Sequence, residues 1–208
     1  MAETDAFPRL LGKRLCLDFV NTVEDPFGDE REDFLGDYDD LVGWSEYVDV
    51  LDESAASRLR TLALDEPGRA REVFERAIAL RDSIERVFRR IAAGAEPPDD
   101  DLAAIQAEHL AALRAASLGR SDAGYAWSWK PDDDLFGPLW PVVESAIEVL
   151  AAGDPARVKQ CPGADDCGWL FYDTSRNGTR RWCSMEGCGS RVKMRRHYAR
   201  RKSSRPRR

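Results

Sequence analysis

The chain has 208 residues, enough for one ordinary domain and a small second one, and its formal net charge is −7. This charge is unevenly distributed, because residues 157–208 carry a net +11 and residues 1–156 a net −18. Such a division favours a polyanionic partner for the basic end. No stretch has the length and apolar character of a membrane span, and the start lacks the pattern of a secretory signal, so we expect a soluble, cytoplasmic protein without a membrane partner.

The first 153 residues alternate between amphipathic helical patterns and polar loops. Apolar residues at helical spacing predict helices over residues 9–23, 38–51, 54–64, 69–93, 100–117 and 136–152, with a short turn starting at Asp154-Pro155. Asp37 or Asp39 is available to cap the second of these helices. The acidic, glycine-containing residues 24–37 are typical of a loop.

One strand is predicted in this region, at residues 124–130. There Tyr125, Trp127 and Trp129 alternate with small or polar residues, which is the period of a half-buried strand. The predicted class is therefore mainly α, with a helical domain over residues 1–153 that contains a minor β element.

The first predicted helix carries a polar side as well as an apolar one. Asp18, Asn21 and Thr22 fall opposite the apolar residues and form a candidate polar pocket, with helix-end hydrogen bonding as the alternative role. The sequence contains no Ser/His/Asp arrangement, Gly-rich phosphate loop or His-plus-carboxylate metal cluster. We therefore expect no enzyme, and we leave open an effector at the helical domain and a homo-oligomer.

Four of the five cysteines lie in two close pairs, Cys161/Cys167 and Cys183/Cys188, separated by fifteen residues. Without export, cysteines stay reduced, so the pairs indicate metal ligands rather than disulfides. This arrangement suits one structural zinc ion in a tetrahedral four-cysteine site, which leaves no open position for catalysis. The fifth, Cys16, is expected to be a small core residue.

The cysteines frame a small predicted module, residues 154–202. We expect a strand at 168–173, a hairpin turn at Asn177-Gly178, a returning strand at 179–183 and a helix from 188 to 202, in a treble-clef-like order. Such a unit has little core of its own. We therefore expect that a chelator unfolds residues 161–202 while the helical domain stays folded. Residues 203–208 are predicted to be a disordered basic tail.

The module also carries the basic side chains that could contact nucleic acid. They could neutralise phosphates, whereas sequence reading would need Arg, Asn or Gln aimed at base edges. We interpret the chain as a zinc-dependent nucleic-acid-binding protein, with DNA favoured over RNA. The alternatives are an RNA-binding zinc-ribbon-like protein and a protein-interaction module with a purely structural zinc. The candidate contact residues are Arg180, Arg181, Arg191, Lys193, Arg195, Arg196, Arg200, Arg201 and Lys202.

A family resemblance supports this interpretation. The string CGWLFYDTSRNGTRRWCSMEGCGSRVKMRRHYARR resembles the CGNR-type zinc finger, and LCLDFVNTV at 15–23 resembles the start of the ABATE domain that usually precedes it. The resemblance implies a bacterial, stress-related transcription regulator with a mainly helical N-terminal domain, a DNA-binding finger and zinc ligands at the same four cysteines. The acidic helical domain would then act as a sensor or interaction domain.

The sequence departs from the family motif at one position. It reads Cys188-Gly189-Ser190-Arg191, with Ser where the family has Asn. Serine can also hydrogen-bond backbone groups near a helix start, so we expect the turn to survive and any base contact of that Asn to be lost. The first cysteine pair is also spaced more widely than the usual two to four intervening residues.

Overall fold

The computed structural model describes residues 7–24, 32–121, 124–130, 133–163 and 167–203. Within these ranges the fold is mainly α, as predicted. The helices are α1 (Leu15–Val20), α2 (Tyr38–Tyr47), α3 (Glu53–Asp65), α4 (Pro67–Ala92), α5 (Asp99–Ala115), α6 (Trp140–Ile147) and α7 (Ser190–Ser203). The strands are β1 (Val23–Glu24), β2 (Glu32–Asp33), β3 (Ser117–Ser121), β4 (Gly124–Ser128), β5 (Val158–Gln160) and β6 (Leu170–Tyr172).

In the described part of the chain, three antiparallel strand pairs accompany the helices. β1 pairs with β2, β3 with β4, and β5 with β6. Short helical segments of other types flank the later helices: 3-10 turns at Gly137–Leu139 and Pro155–Arg157, and π-helical turns at Glu148–Ala152 and Met185–Gly189. Among the described residues, no helix is both long enough and apolar enough to cross a bilayer.

Helix α4 is the central element of the core. Its buried positions include Val73, Ala77, Leu80, Ile84 and Val87, which recur at the helical spacing of three and four residues. Contacts from α1, α2, α3 and α5 surround it. The helix ends at Ala92, close to the predicted end at residue 93. Gly94 follows with a φ of +70°, a conformation that favours glycine and ends helices.

Aspartate side chains start several of these helices, as the sequence predicts. The Asp37 carboxylate accepts hydrogen bonds from the backbone N–H groups of Asp39 and Asp40 at 2.9 and 3.1 Å. Asp154 accepts in the same way from Ala156. These bonds satisfy N–H groups that have no partner inside the helix.

The predicted helix over residues 9–23 is shorter than expected, and only α1 is helical. Its start is set by Gly12, whose carbonyl accepts a hydrogen bond from the Tyr172 N–H at 2.8 Å and whose N–H donates to Asp18 at 2.7 Å. A Cβ at position 12 would lie 2.7 Å from the Asp18 nitrogen. Residues before α1 therefore lie beside β6, a long-range pairing that local periodicity does not reveal.

Asp18 titrates abnormally in this position. Burial raises the pKa of its carboxyl to about 6, against the lowering effect of the hydrogen bond from the Gly12 N–H. A folded-state pKa above the unfolded value stabilises the protein at low pH, and this stabilisation is lost as the pH rises through 6.

We therefore expect Asp18→Asn, which keeps an acceptor for Gly12, to be more stable than the wild type at neutral pH. The advantage should increase by about 1 kcal/mol between pH 5 and 7.5, because only the wild type has to bury a charge as the pH rises. Urea unfolding of both proteins with zinc present measures the difference. A constant difference over this range would contradict the assigned burial of the charge.

The acidic segment 24–37 is not wholly a loop, since β1 and β2 form a short pair there; residues 25–31 lie outside the described residues. Arg81 of α4, only 2% exposed, explains this pairing. Its guanidinium donates to both oxygens of Asp33, at 2.8 and 2.5 Å, and to the Thr22 hydroxyl at 2.9 Å. A buried guanidinium requires such partners, and they hold β2 against α4.

The strand predicted at 124–130 exists, but its predicted half-burial is wrong. β4 pairs with β3, which replaces the end of the helix expected to reach residue 117. Tyr125 is 71% exposed and Trp127 is 48% exposed. The alternating pattern determines which residues share a face, but not whether another element covers that face.

Candidate metal centre

The two predicted cysteine pairs come together at the end of the chain. The sulfurs of Cys161, Cys167, Cys183 and Cys188 all lie within 4.8 Å of one another. The Sγ–Sγ distances are 3.8 Å for Cys167 to Cys183 and 3.7 Å for Cys183 to Cys188. Sulfurs at the corners of a tetrahedron around zinc, each about 2.3 Å from the metal, would be about 3.8 Å apart. The cluster therefore fits one structural zinc ion.

The alternative of disulfide bonding does not fit these distances, and all five cysteines are free thiols. Cys161, Cys183 and Cys188 are buried, whereas Cys167 is partly exposed. Four cysteines occupy all four tetrahedral positions, so the site is closed to substrate. Cys16 lies apart from the cluster, is fully buried among apolar residues, and its pKa is raised to about 12 by burial.

Close packing of the sulfurs also shifts their proton affinities. Hydrogen bonds from the neighbouring thiols of Cys167 and Cys183 lower the pKa of Cys161. Hydrogen bonds with Cys161 and Cys167 raise the pKa of Cys183, because they stabilise its protonated thiol, and burial and the nearby negative charge act in the same direction. A divalent cation at the centre of the cluster would offset the repulsion between neighbouring thiolates and so favour the deprotonated form of the cysteines.

Glycine makes the wide spacing of the first pair geometrically feasible. Gly163 has a φ of +43°, and a Cβ there would lie 2.5 Å from the Cys167 nitrogen. The Cys161 N–H donates to the Trp169 carbonyl at 2.8 Å and closes the base of the loop. Residues 164–166 of this loop lie outside the described residues.

The hairpin of the module differs from the predicted one. β6 corresponds to the expected strand at 168–173, but its partner is β5, which precedes Cys161. Among the described residues, 179–183 form no strand. The Asn177-Gly178 turn is nevertheless present: Gly178 has a φ of +61° and its N–H bonds to the Ser175 carbonyl. The turn thus belongs to a loop rather than to a two-stranded hairpin.

Asp173 organises that loop, and sequence reasoning missed it. Its fully buried carboxylate accepts hydrogen bonds from Lys159 Nζ at 2.6 Å, from the Ser175 hydroxyl at 2.6 Å and from the Arg180 N–H at 2.9 Å. Burial alone would raise the pKa of Asp173, but these donors outweigh it and hold the pKa well below its usual range. The Asp-x-Ser spacing of an Asx turn is the one local signal that could have identified this residue.

Lys159 completes the network from β5. Besides Asp173, its ammonium group donates to the carbonyls of Gly178 and Arg180 at 2.5 and 3.1 Å. The chain between the two cysteine pairs is therefore folded around one ion pair, whose carboxylate is fully buried.

The second cysteine pair is held by a π-helical turn that leads into α7. The Ser184 hydroxyl accepts from the Gly187 N–H at 3.1 Å, and the Gly189 N–H donates to the Ser184 carbonyl. Ser190, which replaces the Asn of the family motif, donates its hydroxyl to the Met185 carbonyl at 3.0 Å. The turn expected to survive with Ser is present, and Ser190 is the first residue of α7.

Aromatic side chains fill the interior of the module. Trp169 and Phe171 are buried against the cysteines, and Trp182 is partly buried beside them. The Trp169 indole N–H also donates to the Val23 carbonyl at 3.2 Å. These rings serve as core and not as an exposed stacking surface.

The module shares its core with the helical part of the chain. Val158, Leu170 and Tyr172 belong to the main apolar cluster around α4. The Asn21 side chain forms two hydrogen bonds with the backbone of Leu170, at 2.8 and 3.0 Å. Arg89 of α4 reaches the Gly168 carbonyl at 2.8 Å.

These contacts account for the candidate polar pocket. Asn21 joins α1 to β6, and Thr22 bonds to the Phe19 carbonyl and receives Arg81. Asp18 holds the Gly12 backbone. All three side chains thus make structural hydrogen bonds, which was the alternative role considered for them.

The candidate nucleic-acid contacts fall into three groups. Arg181, Arg191, Lys193 and Arg195 are exposed. Arg180 is engaged within the module, because its guanidinium donates to the Trp182 and Cys183 carbonyls and lies 4.9 Å from the Phe171 ring centre. Four further candidates lie on α7, but their side chains are outside the described ones: Arg196, Arg200, Arg201 and Lys202.

Comparison with known proteins agrees with this geometry. Residues 157–201 match the CGNR zinc finger, and residues 13–153 match the ABATE family, described as "Putative stress-induced transcription regulator". Both are regulator or zinc-finger families rather than enzyme families. No curated protein matches the chain. The chain belongs to the ABATE family and carries a CGNR zinc finger at its C-terminal end.

Proposed function

We propose that this protein is a zinc-dependent transcription regulator that binds duplex DNA through α7. Cys161, Cys167, Cys183 and Cys188 would be the ligands of one structural zinc. The observation that carries the proposal is the composition and anchoring of α7: seven of its 14 residues are Lys or Arg and none is acidic. Its first turn follows directly on Cys188, so the zinc cluster fixes the position of the helix.

The exposed surface of α7 fits a groove of duplex nucleic acid. Lys193 and Arg191 are exposed near its start, and Met194 and Tyr198 are exposed one turn apart at 57% and 63%. A helix of this width fits the major groove of B-form DNA, whereas the major groove of duplex RNA is too narrow for side chains to read. Single-stranded RNA is read by stacking on exposed aromatic rings, and the rings of the module are mostly in its interior. DNA is therefore favoured.

Arg180 is excluded from the proposed contact surface because its guanidinium already has carbonyl partners. Arg181 is exposed with its guanidinium 5.2 Å from the Trp182 ring centre, and it extends the basic surface beyond α7. A purely structural role for the zinc accounts for the shared core, but it does not account for the net charge of +11 on residues 157–208.

The test is to measure affinity for duplex DNA, duplex RNA and single strands over a salt series, with the zinc-loaded full chain. We expect tightest binding to duplex DNA and an affinity that falls steeply with salt. The double variant Lys193→Gln/Arg181→Gln should reduce the slope of log affinity against log salt by about 2, since each lost phosphate contact removes about 0.9.

A matched control removes two exposed arginines from the helical part, in the variant Arg58→Gln/Arg71→Gln. It has the same change in net charge and should keep the wild-type slope. Equal losses in both variants, or affinity independent of salt, would contradict the proposed contact surface. Selection of bound sequences from random DNA and RNA pools would then identify the preferred target.

A further inference from the structure

A cavity of about 380 Å³ opens between α4, α5 and α6, and none of its lining residues belongs to the zinc module. Its volume lies in the range of small-molecule sites. The lining combines apolar side chains with three arginines, Arg69, Arg76 and Arg114, and it includes Ala111 of α5.

The floor of the cavity is apolar. Leu139, Trp140 and Val143 contribute buried side chains from α6 and the turn before it. Phe136 forms a wall, and the planar guanidinium of Arg76 lies 4.2 Å from the centre of its ring. This combination suits an apolar, ring-sized body.

The three arginines of the lining differ in their partners. Arg69 is paired with Asp134 at 2.8 Å and with Glu66 at 3.2 Å, and Arg76 forms a forked pair with Glu108 at 2.8 Å. Arg114 of α5 is exposed at the rim and has no ion pair or hydrogen bond within the described part of the chain. Among the described lining residues, Arg114 is therefore the guanidinium without a carboxylate partner, although residues 1–156 as a whole carry a net −18.

We propose that this cavity binds a small apolar monocarboxylate. The apolar body of the ligand lies on the floor, and its carboxylate receives the forked N–H groups of Arg114. A dianion such as phosphate is a poorer fit, because Glu108 and Asp134 already occupy the other two guanidinium groups. A neutral ligand would leave Arg114 without a partner.

The test uses isothermal titration calorimetry on the zinc-loaded full chain with benzoate as the probe. Two further probes separate the contributions of charge and shape: benzamide keeps the ring but is neutral, and acetate keeps the carboxylate but has no ring. We expect benzoate to bind at least about tenfold more tightly than either, which is the size of one charge-assisted hydrogen bond. This test is independent of nucleic-acid binding.

Variants of the cavity identify the site. Arg114→Gln should weaken benzoate binding about tenfold or more, and Ala111→Leu should block it by filling the space. Arg120→Gln removes an exposed arginine that does not line the cavity and should leave binding unchanged. The proposal is overturned if benzoate does not bind at millimolar concentration, if benzamide or acetate binds equally well, or if Ala111→Leu binds benzoate like the wild type.

Discussion

Cys183→Ser is expected to abolish stoichiometric zinc binding and to destabilise the entire chain rather than only its C-terminal quarter. Cys183 lies 3.8 and 3.7 Å from two other cluster sulfurs, so its loss removes a central member of the site. Structural zinc contributes on the order of 10 kcal/mol to the folding of isolated zinc-finger peptides. Zinc content by mass spectrometry and urea unfolding followed by circular dichroism measure both effects.

The destabilisation should extend to the helices because the core is shared. β5 and β6 supply Val158, Leu170 and Tyr172 to the apolar cluster around α4, and Asn21 bonds to the backbone of β6. This differs from the expectation, based on sequence alone, that a chelator would unfold residues 161–202 and leave the helical domain folded. We now expect a chelator to lower the midpoint of helix unfolding as well.

Cys16→Ala is the matched control for the cysteine variant. It removes a buried thiol outside the cluster, so it should cost about 1 kcal/mol in the free energy of unfolding while keeping one zinc per chain. A helical unfolding midpoint unchanged in Cys183→Ser would show that the two parts fold independently. Zinc retained at one equivalent in that variant would contradict the ligand assignment.

What could be predicted from sequence depends on how local the determining interaction is. The cap at Asp37 and the end of α4 at Gly94 involve neighbouring residues, and both were predicted correctly. The four-cysteine cluster was also found, because the chemistry of thiols restricts what two close pairs can do.

The missed features depend on distant partners. Nothing in the sequence distinguishes Arg81 from the other arginines of α4, because its partner Asp33 lies 48 residues away. β5 has only three residues and no alternating pattern, and it was missed because it pairs with β6 across the first cysteine loop. The exposure of Tyr125 and Trp127 was missed because a distant partner was expected and is absent. Local alternation predicts that one face of the strand is buried, but no described element covers that face.

Asp173→Asn should be the most damaging substitution outside the cysteines. The amide keeps the shape of the carboxylate but loses its charge, and its NH₂ group would face the donors Lys159 Nζ and the Arg180 N–H. Only the carboxylate of this pair is fully buried, and the Lys159 side chain is 30% exposed. A hydrogen bond to a charged group contributes about 1.5–3 kcal/mol, so a loss of this size is expected when the carboxylate charge is removed. We expect this loss in urea unfolding, together with weaker zinc binding in competition with a chelator.

The effect on zinc follows from the position of the network between the two cysteine pairs. Asp173 and Lys159 fold the chain that leads from Cys167 to Cys183, so loosening it increases the entropy that zinc binding must overcome. Asp154→Asn is the control, because it changes an exposed carboxylate that caps the turn before β5 and should cost about 1 kcal/mol or less. Lys159→Met in the Asp173→Asn background should add little further loss, since the ion pair is already broken. Additive losses from the two substitutions would show instead that Asp173 and Lys159 stabilise the module separately.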